Sequence, residues 1–214
     1  MGRDVTFGRG WTGYLAEAAG PGPGVVVAHD WYGLLPSVRA ACDALAGAGL
    51  TALAPDFYSG RTTTDPGEAE ALLDKLDVPE ARAELAAAIA ELRDRGPGRV
   101  GALGWSAGGW LTLLHATDGG LDAVVAYYAA LAPSDRDTIT CPVLLHLAEV
   151  DDWDPPNTPV AFLAELARAG TVAEVATWPG TEHSFANADA APYQAGAAGR
   201  AWAQTVDFLH RHLD

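Results

Sequence analysis

Short apolar runs alternate along this chain with stretches of helical periodicity, and that alternation restricts the fold more than any other feature. Residues 25–28 read as a buried strand, after which Val38, Cys42 and Leu45 fall on one helical face. Residues 51–54 read as the next strand, closed by Pro55, and a short helix is expected around residues 68–76. Asp77, with Glu80 three residues on, reads as the cap of a longer helix whose stripe is Leu85, Ile89 and Leu92. Further strands are predicted over residues 100–105, 123–127, 143–147 and 172–178. Helices are predicted across 111–116 and 160–166, and a last one carries Ala198, Trp202, Val206 and Leu209 on one side. Strands separated by helices imply βαβ units, hence an α/β fold with a mainly parallel sheet covered by helices on both faces. Ahead of it stands a hairpin around residues 5–7 and 11–18, set off by the turn Gly20-Pro21-Gly22-Pro23-Gly24. A length of 214 residues suits one large domain spanning 1–214 better than two small ones.

Composition removes several classes of function. With 49% apolar and 19% charged residues the chain can bury a core and is not expected to be disordered. Thirteen Lys and Arg against 28 Asp and Glu give a net charge of −15, and Lys75 is the single lysine, so nucleic acid is a poor partner. No apolar run approaches the ~20 residues that cross a bilayer, and Met1-Gly2-Arg3-Asp4 lacks the apolar segment of a secretory signal. Cys42 and Cys141 are too few for a disulfide framework and read as packing residues. A cytoplasmic monomer or homodimer is the expectation, without membrane contact. The stretch Gly8-Arg9-Gly10-Trp11-Thr12-Gly13 spells a dinucleotide fingerprint but opens no helix, and no P-loop is present. Asp151, Asp152, Asp154 and His183 match no metal-ligand spacing, so neither metal nor cofactor is expected.

Gly104-Trp105-Ser106-Ala107-Gly108 carries the chemistry. A predicted strand runs into it and an apolar helix runs out, which is the strand–turn–helix context of a nucleophile elbow. The glycines leave room for a backbone strained enough to lift the serine hydroxyl above the sheet edge. The N–H of Ala107, at the start of the helix, is then free for a developing oxyanion. A serine hydroxyl needs a base, and only His183 lies after Ser106 in a loop following a strand; His115, His146, His210 and His212 fall in helix or strand patterns, and His29 precedes the elbow. For the acid that orients the base, Asp151 is chosen from the loop Ala148-Glu149-Val150-Asp151-Asp152-Trp153-Asp154, with Asp152 and Asp154 as alternatives.

The elbow, together with Ala28-His29-Asp30-Trp31-Tyr32-Gly33, Ala54-Pro55-Asp56-Phe57-Tyr58, Ala126-Tyr127-Tyr128 and His183-Ser184-Phe185-Ala186, resembles the dienelactone hydrolase family of α/β-hydrolases over nearly the whole chain. The resemblance implies a cofactor-free hydrolase that opens a small ester or lactone through an acyl-enzyme. Its triad would be Ser106, Asp151 and His183, and its oxyanion donors the N–H groups of Trp31 and Ala107. A thioesterase or acyltransferase would use the same triad, and a non-catalytic binding protein of this fold is the rival from another class.

Three departures from the family pattern stand out. The best-known members have cysteine where this chain has Ser106. Asp30 takes the place of a first-loop glutamate that engages the resting nucleophile, and so stands as a candidate modulator. Asn187 replaces an arginine that holds a substrate carboxylate, with Arg61 near in sequence but no clear counterpart of a second arginine. An anionic lactone is therefore not the expected substrate. Trp31, Tyr32, Tyr58, Trp105, Tyr127, Trp153, Phe185 and Asn187 are the candidates for lining an apolar pocket suited to an uncharged ester or lactone.

Overall fold

The chain is seen in a computed structural model that describes residues 1–96, 98–132, 138–153 and 157–214. A hairpin of β1 (Arg3–Phe7) and β2 (Trp11–Ala16) leads to β3 (Gly24–Ala28), α1 (Pro36–Gly47), β4 (Thr51–Pro55), α2 (Pro66–Leu73) and α3 (Val78–Arg95). Then come β5 (Val100–Trp105), α4 (Ala107–Ala116), β6 (Ala123–Tyr127), β7 (Val143–Val150), α5 (Asn157–Ala169), β8 (Ala173–Glu182) and α6 (Ala195–Leu213). The strands form one eight-stranded sheet in the order β1-β2-β4-β3-β5-β6-β7-β8. From β4 to β8 every neighbouring pair is parallel, while β2 runs antiparallel to both β1 and β4. This is the mainly parallel, doubly covered α/β architecture expected from the alternation.

Strand periodicity divides the core into two layers. Val26, Ala102, Val124 and Leu145 face α3, α4 and α5, where Leu85, Ile89, Leu92, Leu111, Phe162 and Leu166 pack. Their chain neighbours Val25, Leu103, Val125 and Leu144 face α1 and α6, against Val38, Cys42, Leu45, Phe208 and Leu209. Helix starts follow their caps: the side chains of Asp65 and Asp77 accept from the N–H groups of Glu68 and Glu80, each at 3.0 Å, and each cap is followed by proline within the first turn.

Two expectations need correction. Strands β7 and β8 run on to Val150 and Glu182, beyond the predicted ends at 147 and 178, because Ala148-Glu149-Val150 and Pro179-Gly180-Thr181-Glu182 continue the strands without an apolar run to mark them. The buried stripe of α6 is Ala197, Ala201, Thr205, Phe208, Leu209 and Leu213. Of the predicted line Leu209 lies in it, Trp202 and Val206 are partly buried at its side, and the stripe is centred one position away, through Ala197, Ala201 and Thr205. The cause is Thr205. Its hydroxyl is fully buried and bonded to Tyr127 Oη at 2.7 Å and His146 Nε2 at 3.0 Å, so a polar residue occupies the innermost face. Trp178 Nε1–H donates to His146 Nδ1 at 3.2 Å, and burial holds this imidazole neutral, its pKa depressed to about 3.

Candidate active site

The register of the sheet brings the site together. Trp105 pairs with Tyr127, so Ser106 and Tyr128 emerge side by side at the carboxyl edge. After an irregularity in β7, Val150 pairs with Glu182, and the very next residues are Asp151 and His183. Neighbouring strands lie about 4.8 Å apart, so consecutive strand ends put side chains within reach of one another. His183 Nε2 is 2.8 Å from Ser106 Oγ. Its Nδ1 lies 2.8 and 2.9 Å from the two oxygens of Asp151. Both side chains are largely shielded, at 15% and 12% exposure. Asp151 Oδ1 also accepts from the Trp153 N–H at 3.1 Å, which fixes the carboxylate. Asp152 is exposed on that loop, and Asp154 lies outside the described residues.

Backbone strain is concentrated here. Among the described residues the non-glycine positions with positive φ are Ser59, Ser106, Tyr128 and Ser184. Three of them surround His183: the nucleophile candidate, the strand-end tyrosine whose ring centroid is 4.8 Å from the imidazole, and the residue that follows the histidine. Ser106 sits at φ 49°, ψ −118°. Such conformations cost about 1–3 kcal/mol each and persist where packing imposes them. The glycines of the elbow show how. A Cβ on Gly104 would lie 2.3 Å from Gly108 O, and one on Gly108 would lie 2.3 Å from His29 O. Hence the end of β3 presses directly on the first turn of α4, bringing the loop that begins at His29 beside Ala107. As the first residue of α4, Ala107 has an N–H without an intrahelical acceptor.

The two departures at Asp30 and Asn187 meet each other. Asn187 Nδ2 donates to Asp30 Oδ2 at 2.6 Å, while Asp30 Oδ1 accepts from the Tyr32 N–H at 2.9 Å. Asp30 is thus engaged by Asn187 and the loop backbone rather than by Ser106. One methylene fewer than glutamate accounts for it. Asp30 is 5% exposed, and burial pushes its pKa up to about 6 against the opposing pull of those two hydrogen bonds. Arg61 is exposed and lies by Thr62, Thr63 and Glu68.

The expected pocket aromatics separate into three groups. Trp31 and Trp153 meet edge to face with centroids 5.1 Å apart, and Trp153 is 65% exposed, its ring 6.3 Å from that of His183. Trp105, Tyr127 and Asn187 border a cavity of about 350 Å³ between α1 and α6. Tyr32, Tyr58 and Phe185 are buried and do not border this cavity. Phe185 is wholly enclosed by Tyr127, Tyr128 and Trp178, and Tyr58 stacks on His29. His29 itself is structural: its Nε2 accepts from the Phe57 N–H at 3.2 Å. Tyr128 is a site residue that no sequence pattern singles out, because it is the positive φ at the end of β6 that turns its ring onto the imidazole. Free Cys42 and Cys141 are both buried. Among the described residues no helix is long and apolar enough to cross a membrane.

Residues 11–213 match the dienelactone hydrolase family. Protein usf of Aquifex pyrophilus is 31% identical over the whole of both chains. Carboxymethylenebutenolidase of Pseudomonas putida is 28% identical, with 91% of this chain and 88% of that protein covered. A dienelactone hydrolase-like promiscuous phosphotriesterase from metagenomic libraries superposes with a TM-score of 0.87 over 100% of this chain and 99% of its own, at 22% identity, a likeness of fold. With the match running almost from end to end, the chain belongs to the dienelactone hydrolase family of α/β-hydrolases.

Proposed function

We propose that this protein is a serine hydrolase that cleaves a small carboxylic ester or lactone through an acyl-enzyme, with residues 1–214 acting as one catalytic unit. The observation that carries the reading is the unbroken relay from Ser106 Oγ through His183 to Asp151, with hydrogen bonds of 2.8 Å on both sides of the ring. Family membership supports the same class of reaction.

In this mechanism Ser106 Oγ attacks the substrate carbonyl carbon as His183 Nε2 takes its proton. Asp151 accepts from Nδ1–H, fixes the tautomer and stabilises the imidazolium. The N–H groups of Ala107 and Trp31 receive the oxyanion. Collapse of the tetrahedral adduct breaks the carbon–oxygen bond to the leaving group, and His183 returns the proton to that oxygen. In a lactone the freed hydroxyl stays tethered to the acyl group. Water then attacks the acyl-enzyme with His183 again as base, releasing the acid and restoring Ser106. Serine, unlike the cysteine of the best-known relatives, contributes no thiolate of its own, so the reaction depends fully on His183.

The substrate is one without a carboxylate to be held, because the position of the arginine is Asn187 and the protein carries a net charge of −15. Buried, unpaired cysteines fit a reducing, cytoplasmic setting. A fluorophosphonate probe should label the wild type at Ser106 and fail to label Ser106→Ala. Ester hydrolysis that persists unchanged in Ser106→Ala would overturn the reading.

A further inference from the structure

The cavity between α1 and α6 exists because the facing positions are small. Ala40, Ala41 and Ala44 on α1 look across at Ala198 and Gly199 on α6, and no side chain fills the gap. Its volume of about 350 Å³ holds a small organic group. Trp105, Tyr193 and Trp202 supply aromatic surface, and Tyr193 is 41% exposed at the mouth. The apolar flank of α6 next to its buried stripe belongs here: Ala198 borders the cavity, and Trp202 lines it while packing partly on the core layer beneath.

One charge lines this apolar space. Among the described residues Asp30 is the only carboxylate that lines it, and no lysine or arginine borders it. Nor does Asp30 join any ion pair among the described residues; its side-chain partners are Asn187 and the Tyr32 N–H. A buried carboxylate without a counter-charge is costly, and each Asp30 oxygen keeps a lone pair beyond the hydrogen bonds from Tyr32 and Asn187. Trp105, next to Ser106 in the chain, forms part of the same wall, so a group seated in the cavity can belong to a molecule whose carbonyl lies at Ser106.

We propose that this cavity recognises an organic cation, a protonated amino group carried on a small apolar or aromatic arm of the ester substrate, paired with Asp30 and flanked by Trp105 and Trp202. This rests on the hydrolase reading only for calling the ligand a substrate. Ammonium groups gain both from the charge and from nearby aromatic rings. The replacement of arginine by Asn187 then changes the sign of the site: where a guanidinium would attract an anion, the amide leaves the Asp30 charge free to attract a cation.

The test has a binding arm and a kinetic arm. Calorimetry of Ser106→Ala with phenethylammonium, phenethyl alcohol and 3-phenylpropanoate should show the ammonium binding about 10-fold or more tighter than the alcohol, and the carboxylate weakest. Asp30→Asn, which keeps an oxygen for the Tyr32 N–H, should erase that preference, and Asn187→Arg should turn it toward the carboxylate. Equal binding of ammonium and alcohol, or a preference that survives Asp30→Asn, overturns the proposal. In the kinetic arm, the ratio of kcat/KM for an amino-bearing ester to that of its uncharged isostere should fall about 10-fold in Asp30→Asn. A uniform loss on both esters would mean that Asp30 acts only on His183, and also overturns it. Should Asp30→Asn fail to fold, Ala198→Leu, which obstructs the cavity, must weaken ammonium binding by the same reasoning. Ammonium binding with no Ser106-dependent hydrolysis would sink the enzymatic reading and leave the cation site standing.

Discussion

The two faces of the sheet are built to different standards. On the α3, α4 and α5 side, Leu85, Ile89, Leu92, Leu111 and Phe162 close the layer with large side chains in contact. On the α1 and α6 side, Phe208, Leu209 and Leu213 do the same toward the amino ends of the strands. Toward the carboxyl ends the helices present alanine and glycine instead, and the space stays open beside the nucleophile candidate. The cleft of about 350 Å³ that this leaves opens to solvent past Tyr193 and has the size of a small-ligand site. The contrast teaches that one face holds the fold together and the other is partly given over to recognition, with the strained elbow at the seam. Substitutions should therefore separate: large losses of stability on the closed face, changes of selectivity on the open one, and loss of turnover at the seam.

The largest effect is expected at the seam. Ser106→Ala should lower kcat/KM for an activated ester by about 10⁴-fold or more, and His183→Ala should cost as much, since members of such a relay act as a unit. Neither change removes core volume. Ser106→Gly should be equally inactive yet more stable by about 1 kcal/mol, because glycine adopts φ 49° without strain. A urea titration beside the kinetic assay checks both halves. If Ser106→Gly lost stability, the strain at the elbow would not be what the packing imposes.

Next in size is the closed face. Leu85 is 1% exposed, and Leu85→Ala should cost about 2–5 kcal/mol with kcat/KM unchanged at temperatures where the variant is folded. Activity lost in proportion to the core would break the division of labour. On the same helix, Glu84 is buried, and its Oε1 has no hydrogen-bond partner among the described residues. Burial first, then the carboxylates of Asp56 and Glu80, raise its pKa to about 8. A carboxyl group whose pKa is higher folded than unfolded binds more protons in the native state. Stability should thus be greatest below the usual carboxylate range and fall as pH rises toward 8, by about 1 kcal/mol per pH unit. Asp30, raised to about 6, adds a slope of the same sign that ends earlier. Glu84→Gln should flatten the curve above pH 6 and leave the variant more stable than the parent at pH 8, as chemical denaturation at pH 5 and pH 8 would reveal.

How far this contrast was legible beforehand differs by element. The alternation of strands and helices, the elbow and His183 could be read directly, because local periodicity and a strained turn both impose residue types on neighbouring positions. Asp151 could be placed only within a cluster of acids, since what selects it is the Val150–Glu182 pairing across strands, a register no local pattern encodes. Asp30 and Asn187 could each be seen as departures, yet not as partners: they stand 157 residues apart and meet in a single hydrogen bond. The centre of the α6 stripe is not legible because Thr205 is buried for its hydrogen bonds while Trp202, only partly buried, also faces the cavity, so hydrophobicity and burial part company along one helix.

The smallest effect sharpens the comparison most. Ala198 borders the cavity without being part of the packed stripe, and leucine there adds three carbons to open space. In a closed core, extra methylenes force side chains off their rotamers and cost about 1–3 kcal/mol. Here the added group has somewhere to go, so the stability of Ala198→Leu should stay within about 1 kcal/mol of the parent, or rise as apolar surface is covered. KM for esters with a bulky arm should increase several-fold, while that for an acetyl ester, too short to enter, should hold. Stability and selectivity would then respond in opposite senses to one substitution, which a close-packed face cannot do. If Ala198→Leu instead destabilised the protein as an overpacked core does, the space between α1 and α6 would be tighter than its volume implies, and the distinction between the faces would fail at the residue that defines it.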